Sequence, residues 1–136
     1  MKIFIISSKN FYDKIPDIQK TLEKNGHIIT LPNCFKDPAT EGRFRDLGRE
    51  EHSKWKAEKL RHSSEVIENN DAVLVLNFEK NGMSNYIGGA TFLEMYDAFR
   101  LSKKIFLYND IPEGILKDEI IGFNPILIDG DLGVIN

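Results

Sequence analysis

Residues 71–94 read DAVLVLNFEKNGMSNYIGGATFLE, and the change of pattern inside this stretch decides the fold. Ala72 to Leu76 is an unbroken apolar run without polar alternation, as expected of a strand covered on both faces in a parallel sheet. The run stops at Asn77 and passes through a polar loop over 79–86. It then gives way to Phe92, Met95, Tyr96 and Phe99, which recur at helical spacing. Strand, loop and helix in that order form the repeating unit of an α/β sheet.

The same alternation extends in both directions. Lys2 to Ile6 predicts a first buried strand that ends abruptly at Ser7-Ser8-Lys9-Asn10. Ile15, Ile18 and Leu22, with Pro16 early and Gly26 late, predict a helix over 13–25. His27 to Leu31 predicts a second strand closed by Pro32, and residues 50–69 a polar helix. After the decisive unit come a strand over 105–108, a short helix near 113–121 and a strand over 126–128. The order βαβαβαβαβ implies right-handed crossovers. The chain therefore reads as one domain, residues 1–136, with a five-stranded, doubly wound, flavodoxin-like parallel sheet in the order 2-1-3-4-5. Residues 33–49 are charged, punctuated by Gly and Pro, and without period. The reading is a partly disordered connection whose span 35–48 acts as a lid.

Composition narrows the partners. The 136 residues are 41% hydrophobic and 29% charged, which suits a globular core. A net charge of −3 provides no overall basic field for a nucleic-acid polymer. The opening apolar run is far below the roughly 20 residues that cross a bilayer, so the expectation is a cytoplasmic protein without a membrane partner. Cys34, the single cysteine, reads as a small apolar filler, and no Cys/His spacing suggests a metal. No cofactor motif is present: the loop after the first strand lacks the glycine that a flavin-phosphate loop needs. Asn77 stands where a phosphorelay receiver needs an aspartate.

Ligands of such sheets bind beyond the carboxyl ends of the strands, at the switch point between strands one and three. That rule selects Ser7, Ser8 and Phe11, the segment from Asn77 to Thr91, and Asn109. Gly88 and Gly89 let backbone approach a ligand, and the helix that follows offers N–H groups to an anion. Asn77 and Asn109 are candidate hydrogen-bonding groups for a sugar or base, and Phe11 and Tyr12 candidate stacking rings. Glu94 has an apolar surround of Phe92, Leu93, Met95 and Tyr96, but Thr91-x-x-Glu94 also fits a capping box that would merely close the helix end. Asp71 opens its strand at the far end and reads as structural. His62 reads as an exposed helix residue, and Lys54, Lys56, Lys59 and Arg61 as a solvated face.

The short first strand with its polar end, the Asp-initiated strand 71–76, the Gly-rich loop and the early helical glutamate together resemble the nucleoside 2-deoxyribosyltransferase-like superfamily, which includes nucleoside 5′-monophosphate N-glycosidases. The resemblance implies that Glu94 is a nucleophile toward the anomeric carbon. It implies phosphate-holding roles for Ser7, Ser8 and Ser84, substrate contacts from the Asn85 to Gly89 loop, and a homo-oligomer whose subunits complete one another's sites. The chain departs from the family pattern in having Ser84 and Asn85 where an acid is common, and in spelling the following step Gly89-Ala90-Thr91. A nucleotide-binding module without turnover is the alternative reading.

Overall fold

Alternate side chains of the central strands divide the interior into two layers. In the computed structural model, which describes residues 1–136, Ile3 and Ile5 of β1 (Lys2–Ser7) and Ala72, Leu74 and Leu76 of β3 (Ala72–Leu76) face one way. They pack on Ile15, Ile18 and Leu22 of α1 (Ile15–Lys24). Phe4, Ile6, Val73 and Val75 face the other way, onto Ile67 of α3 (Arg49–Glu68), Met95 and Ala98 of α4 (Gly89–Arg100) and Ile120 of α5 (Lys117–Gly122). All five residues of β3 are buried, which accounts for the absence of polar alternation in its sequence.

With β2 (Ile28–Thr30), β4 (Lys104–Leu107) and β5 (Ile126–Leu127), the strands form one all-parallel sheet in the order β2-β1-β3-β4-β5. The flavodoxin-like order expected from the sequence is the one found. Asp71 is structural: its carboxylate accepts from the Lys2 amide at 2.7 Å at the amino end of β1, opposite the ligand end.

Two local readings are corrected. Residues 40–46 are not aperiodic connection but a helix, α2 (Thr40–Asp46), docked on α3. Phe44 stacks on Trp55 with ring centres 5.7 Å apart, and Glu41 bonds His52 at 2.9 Å and Lys56 at 3.3 Å. These tertiary contacts hold a helix too short to stand alone. The capping box is also absent. Gly88 is the N-cap of α4, so Thr91 and Glu94 lie inside the helix rather than at the cap and third positions.

No helix is long and apolar enough to cross a membrane.

Candidate active site

The cleft of about 370 Å³ beyond the carboxyl ends of β1 and β2 is built from four walls. The end of β1 and the 3₁₀ turn over Lys9–Lys14 contribute Ser7, Ser8 and Tyr12; the segment after β2 contributes Asn33 and Cys34. One face of α3 contributes Lys56, Lys59, Leu60 and Ser63, spaced so that they stack over successive turns. Gly88, Gly89 and Glu94 enter from α4, and Glu41 and Arg45 from α2 at the mouth.

Glu94 is the chemical centre of this arrangement. It is the sixth residue of α4, where the helix packs against α3, and its carboxyl is only partly exposed. Burial pushes its pKa up to about 7, against the pull of the nearby Ser63 hydroxyl and of the Lys59 and Lys56 ammonium groups; Asp97 adds to the rise. Glu41 behaves oppositely. Burial opposes its charge, yet the hydrogen bond from His52 and the charges of Lys56 and Arg45 hold its carboxyl below the ordinary range. The cleft thus holds two carboxyls with separated acidities, a pattern that functional sites use to assign distinct roles.

Tyr12 brings its phenol to the same space. Burial, then the nearby Cys34, Glu94 and Glu41, raise its pKa further, so the hydroxyl stays protonated and is a permanent donor. Around these groups stand Lys9, Arg45, Lys56, Lys59 and Lys80, all lining the cleft. A chain with net negative charge therefore concentrates cations at one opening.

Among the residues singled out from the sequence, Ser7, Ser8, Gly88, Gly89 and Glu94 come together here. Ser7 donates to the Ser8 carbonyl at 3.0 Å, and Ser8 accepts from the Asn10 side chain at 3.0 Å. Gly88 has a packing reason to lack a side chain, because a Cβ there would meet the Tyr86 hydroxyl at 3.2 Å; beside Gly89 the space is open. Phe11 is buried against Phe78 and Tyr86 instead of lining the cleft. Asn77 and Asn109 are spent on each other: the Asn77 side chain accepts from the Asn109 amide at 2.8 Å, and Asn109 Nδ2 donates to the Asn77 carbonyl at 3.0 Å. They clasp the ends of β3 and β4 and do not reach the cleft. Ser84, exposed, and Asn85 lie on the loop outside it. His62 is exposed on α3, also outside.

Charge alone places the basic residues of α3 in solvent, and this is corrected for two of them: Lys56 and Lys59 are partly buried in the cleft wall, while Lys54 and Arg61 are exposed. Cys34 is not a core filler either; Lys59 Nζ lies 3.1 Å from its sulfur at the cleft edge. The 56, 59, 60, 63 spacing was the available signal for this wall. Hydrophobic periodicity missed it because two of its four members are charged. No group of three or more His, Cys, Asp or Glu side chains is placed to hold a metal ion.

No family model matches the chain, and no curated protein matches it.

Proposed function

We propose that the protein cleaves or transfers at the N-glycosidic bond of a nucleoside or deoxynucleoside, most favourably as the 5′-monophosphate, with Glu94 as nucleophile. The observation that carries this reading is the largely buried Glu94 carboxyl inside a cleft whose lining also holds five cationic side chains, Lys9, Arg45, Lys56, Lys59 and Lys80. An oxocarbenium-like transition state calls for a carboxylate at the anomeric carbon. A phosphate at the other end of the sugar calls for cations and unpaired N–H groups. Lys56 and Lys59 meet the second need. So does the start of α4, which has no side-chain cap and no acid in its first turn.

In the first step the ionised Glu94 oxygen bonds to the anomeric carbon as the bond to the base breaks, and the base departs with that electron pair. Tyr12 donates a hydrogen bond where charge develops, and water supplies the proton. A water, or the ring nitrogen of a free acceptor base, then bonds to the anomeric carbon as the ester bond to Glu94 breaks; the acceptor's proton passes to solvent and the carboxylate is restored. Incubation with a panel of nucleosides and their monophosphates, followed by chromatography for free base, tests the reading. Release from at least one of them is expected, with kcat/KM rising as pH passes through about 7, because the nucleophile must be ionised. Binding of a nucleotide without release of base would leave the non-catalytic module.

Self-association belongs to the same proposal. Leu93, Tyr96 and Phe99, on the outer face of the helix that carries Glu94, are each about half exposed. Phe123 lies against Phe99 at 5.4 Å between ring centres. A second copy covering this stripe would remove it from water. Light scattering is expected to give at least a dimer at micromolar concentration, and a Phe99→Asp variant a monomer; a monomeric native protein overturns this.

A further inference from the structure

Glu41 stands at the mouth of the cleft with its two carboxylate oxygens in different situations. Oε2 takes three hydrogen bonds, from Arg45 at 3.2 Å, His52 at 2.9 Å and Lys56 at 3.3 Å. Oε1 has no partner within the chain. Every fully buried side-chain nitrogen and oxygen of the protein has a partner, so Oε1 is not among the buried atoms and opens onto unfilled space. The space that Glu41 borders is the cleft, and its side chain keeps 21% of its surface exposed. Burial opposes the charge of this carboxyl, but His52, Lys56 and Arg45 hold it ionised. It is therefore an acceptor with one free oxygen and no proton to give.

We propose that Glu41 is a specificity-determining residue that reads the base: Oε2 is anchored to α2 and α3, and Oε1 accepts a hydrogen bond from an exocyclic amino group of the substrate. The inference rests on the glycosidic reading, which supplies the orientation of the ligand. With the anomeric carbon at Glu94 and a 5′-phosphate at Lys59 and the start of α4, the base leaves from the other side of the sugar ring. The Glu41 charge repels a phosphate, so the base is the end of the nucleotide that it meets. Base edges present carbonyl oxygens or amino groups. A carboxylate oxygen repels the first and accepts from the second, so the site favours the amino-bearing bases adenine or cytosine over their oxo counterparts hypoxanthine and uracil.

The anchoring of Oε2 makes Glu41→Gln informative. Arg45 and Lys56 can only donate, so they draw the glutamine oxygen into the Oε2 position. The amide NH2 then takes the place of Oε1 and turns the free acceptor into a donor. The preference should reverse, toward the oxo bases. A residue that only clasped α2 to α3 would weaken every ligand alike.

The test compares 2′-deoxynucleoside 5′-monophosphates in pairs, adenine with hypoxanthine and cytosine with uracil. Dissociation constants are measured by calorimetry in a Glu94→Gln background, where ligand is not consumed, and kcat/KM by release of base in the chain that keeps Glu94. With Glu41 in place, the amino member of at least one pair should bind about 10- to 100-fold tighter, the worth of one hydrogen bond to a charged group. Glu41→Gln should put the oxo member ahead, and Glu41→Ala should leave no preference. Equal binding of both members of each pair with Glu41 in place, or binding of none, overturns the proposal whether or not the variants fold. So does an equal fall for all four ligands in Glu41→Gln, which would leave Glu41 as a clasp of α2. An amino preference carried by Glu41 in a protein that releases no base keeps the binding role and removes the glycosidic reading. Release of base without that preference does the reverse, so the two failures are separable.

Discussion

Glu94→Gln is expected to abolish glycosidic cleavage, by at least about 10³-fold in kcat, while making the protein more stable at alkaline pH. The first effect follows from chemistry: an amide does not form the glycosyl ester and does not carry the negative charge that the oxocarbenium-like state needs. The second follows from linkage. Burial lifts the folded carboxyl from an ordinary 4.5 to about 7, so the folded chain binds this proton more tightly than the unfolded chain. Below the unfolded value both states are protonated and the site costs nothing. Between about 4.5 and 7 the cost grows, and above 7 it is complete, of the order of 3 kcal/mol. Glutamine carries no charge to desolvate. The variant's gain in melting temperature should therefore be clear at pH 8 and small at pH 5. Native cleavage rates in folded Glu94→Gln would remove the nucleophile. Equal melting shifts at both pH values would remove the buried-charge argument.

The combination of lost activity and gained stability separates a functional carboxyl from a capping one. Glutamine closes a capping box as well as glutamate does, so a cap would show neither effect. The helix register already points the same way. Gly88, not Thr91, is the N-cap of α4, and Glu94 is the sixth residue of the helix, which packs against α3.

The sheet was legible because a doubly covered parallel strand has a simple sequence signature. Ile3 to Ile6 and Ala72 to Leu76 are apolar at every position, since each face meets a helix layer. The short second helix was not legible. Thr40 to Asp46 has no apolar stripe long enough to show a period, and its stability comes from one ring, Phe44, on Trp55 and from the ion pairs of Glu41. Except for Glu41–Arg45, one turn apart, these contacts join residues 11 or more positions apart and leave no local trace. Asn77 and Asn109 were read at the correct end of the sheet, but the switch-point rule gives a region and not an orientation. Their side chains satisfy each other's backbone instead of reaching the cleft. The α3 wall failed for a different reason. A site for an anion is polar, so a helix face bearing Lys56 and Lys59 looks like a solvent face until a neighbour is packed over it.

Lys59→Ala is expected to have the largest effect on substrate choice, and its outcome depends on the pH at which it is read. Lys59 sits between two tasks. Its ammonium helps keep Glu94 ionised, and it stands in the cleft wall where a 5′-phosphate would need a cation. It is held there by the Trp55 ring, 5.2 Å from Nζ, and by the Cys34 sulfur, neither of which neutralises it. Lys56, by contrast, is already paired with Glu41 at 3.3 Å. At pH 8.5, where Glu94 is ionised with or without Lys59, only the phosphate task is visible. There kcat/KM for a nucleoside 5′-monophosphate should fall about 10- to 100-fold, the worth of one charged hydrogen bond, while that for the free nucleoside changes little. At pH 6.5 both substrates should lose further, because without the lysine a larger fraction of Glu94 is protonated. Lys59→Arg keeps the charge and should preserve the alkaline preference for the monophosphate. Equal losses for both substrates at pH 8.5 would show that Lys59 serves Glu94 alone, and would move the phosphate contact to the start of α4 and the serines at the end of β1.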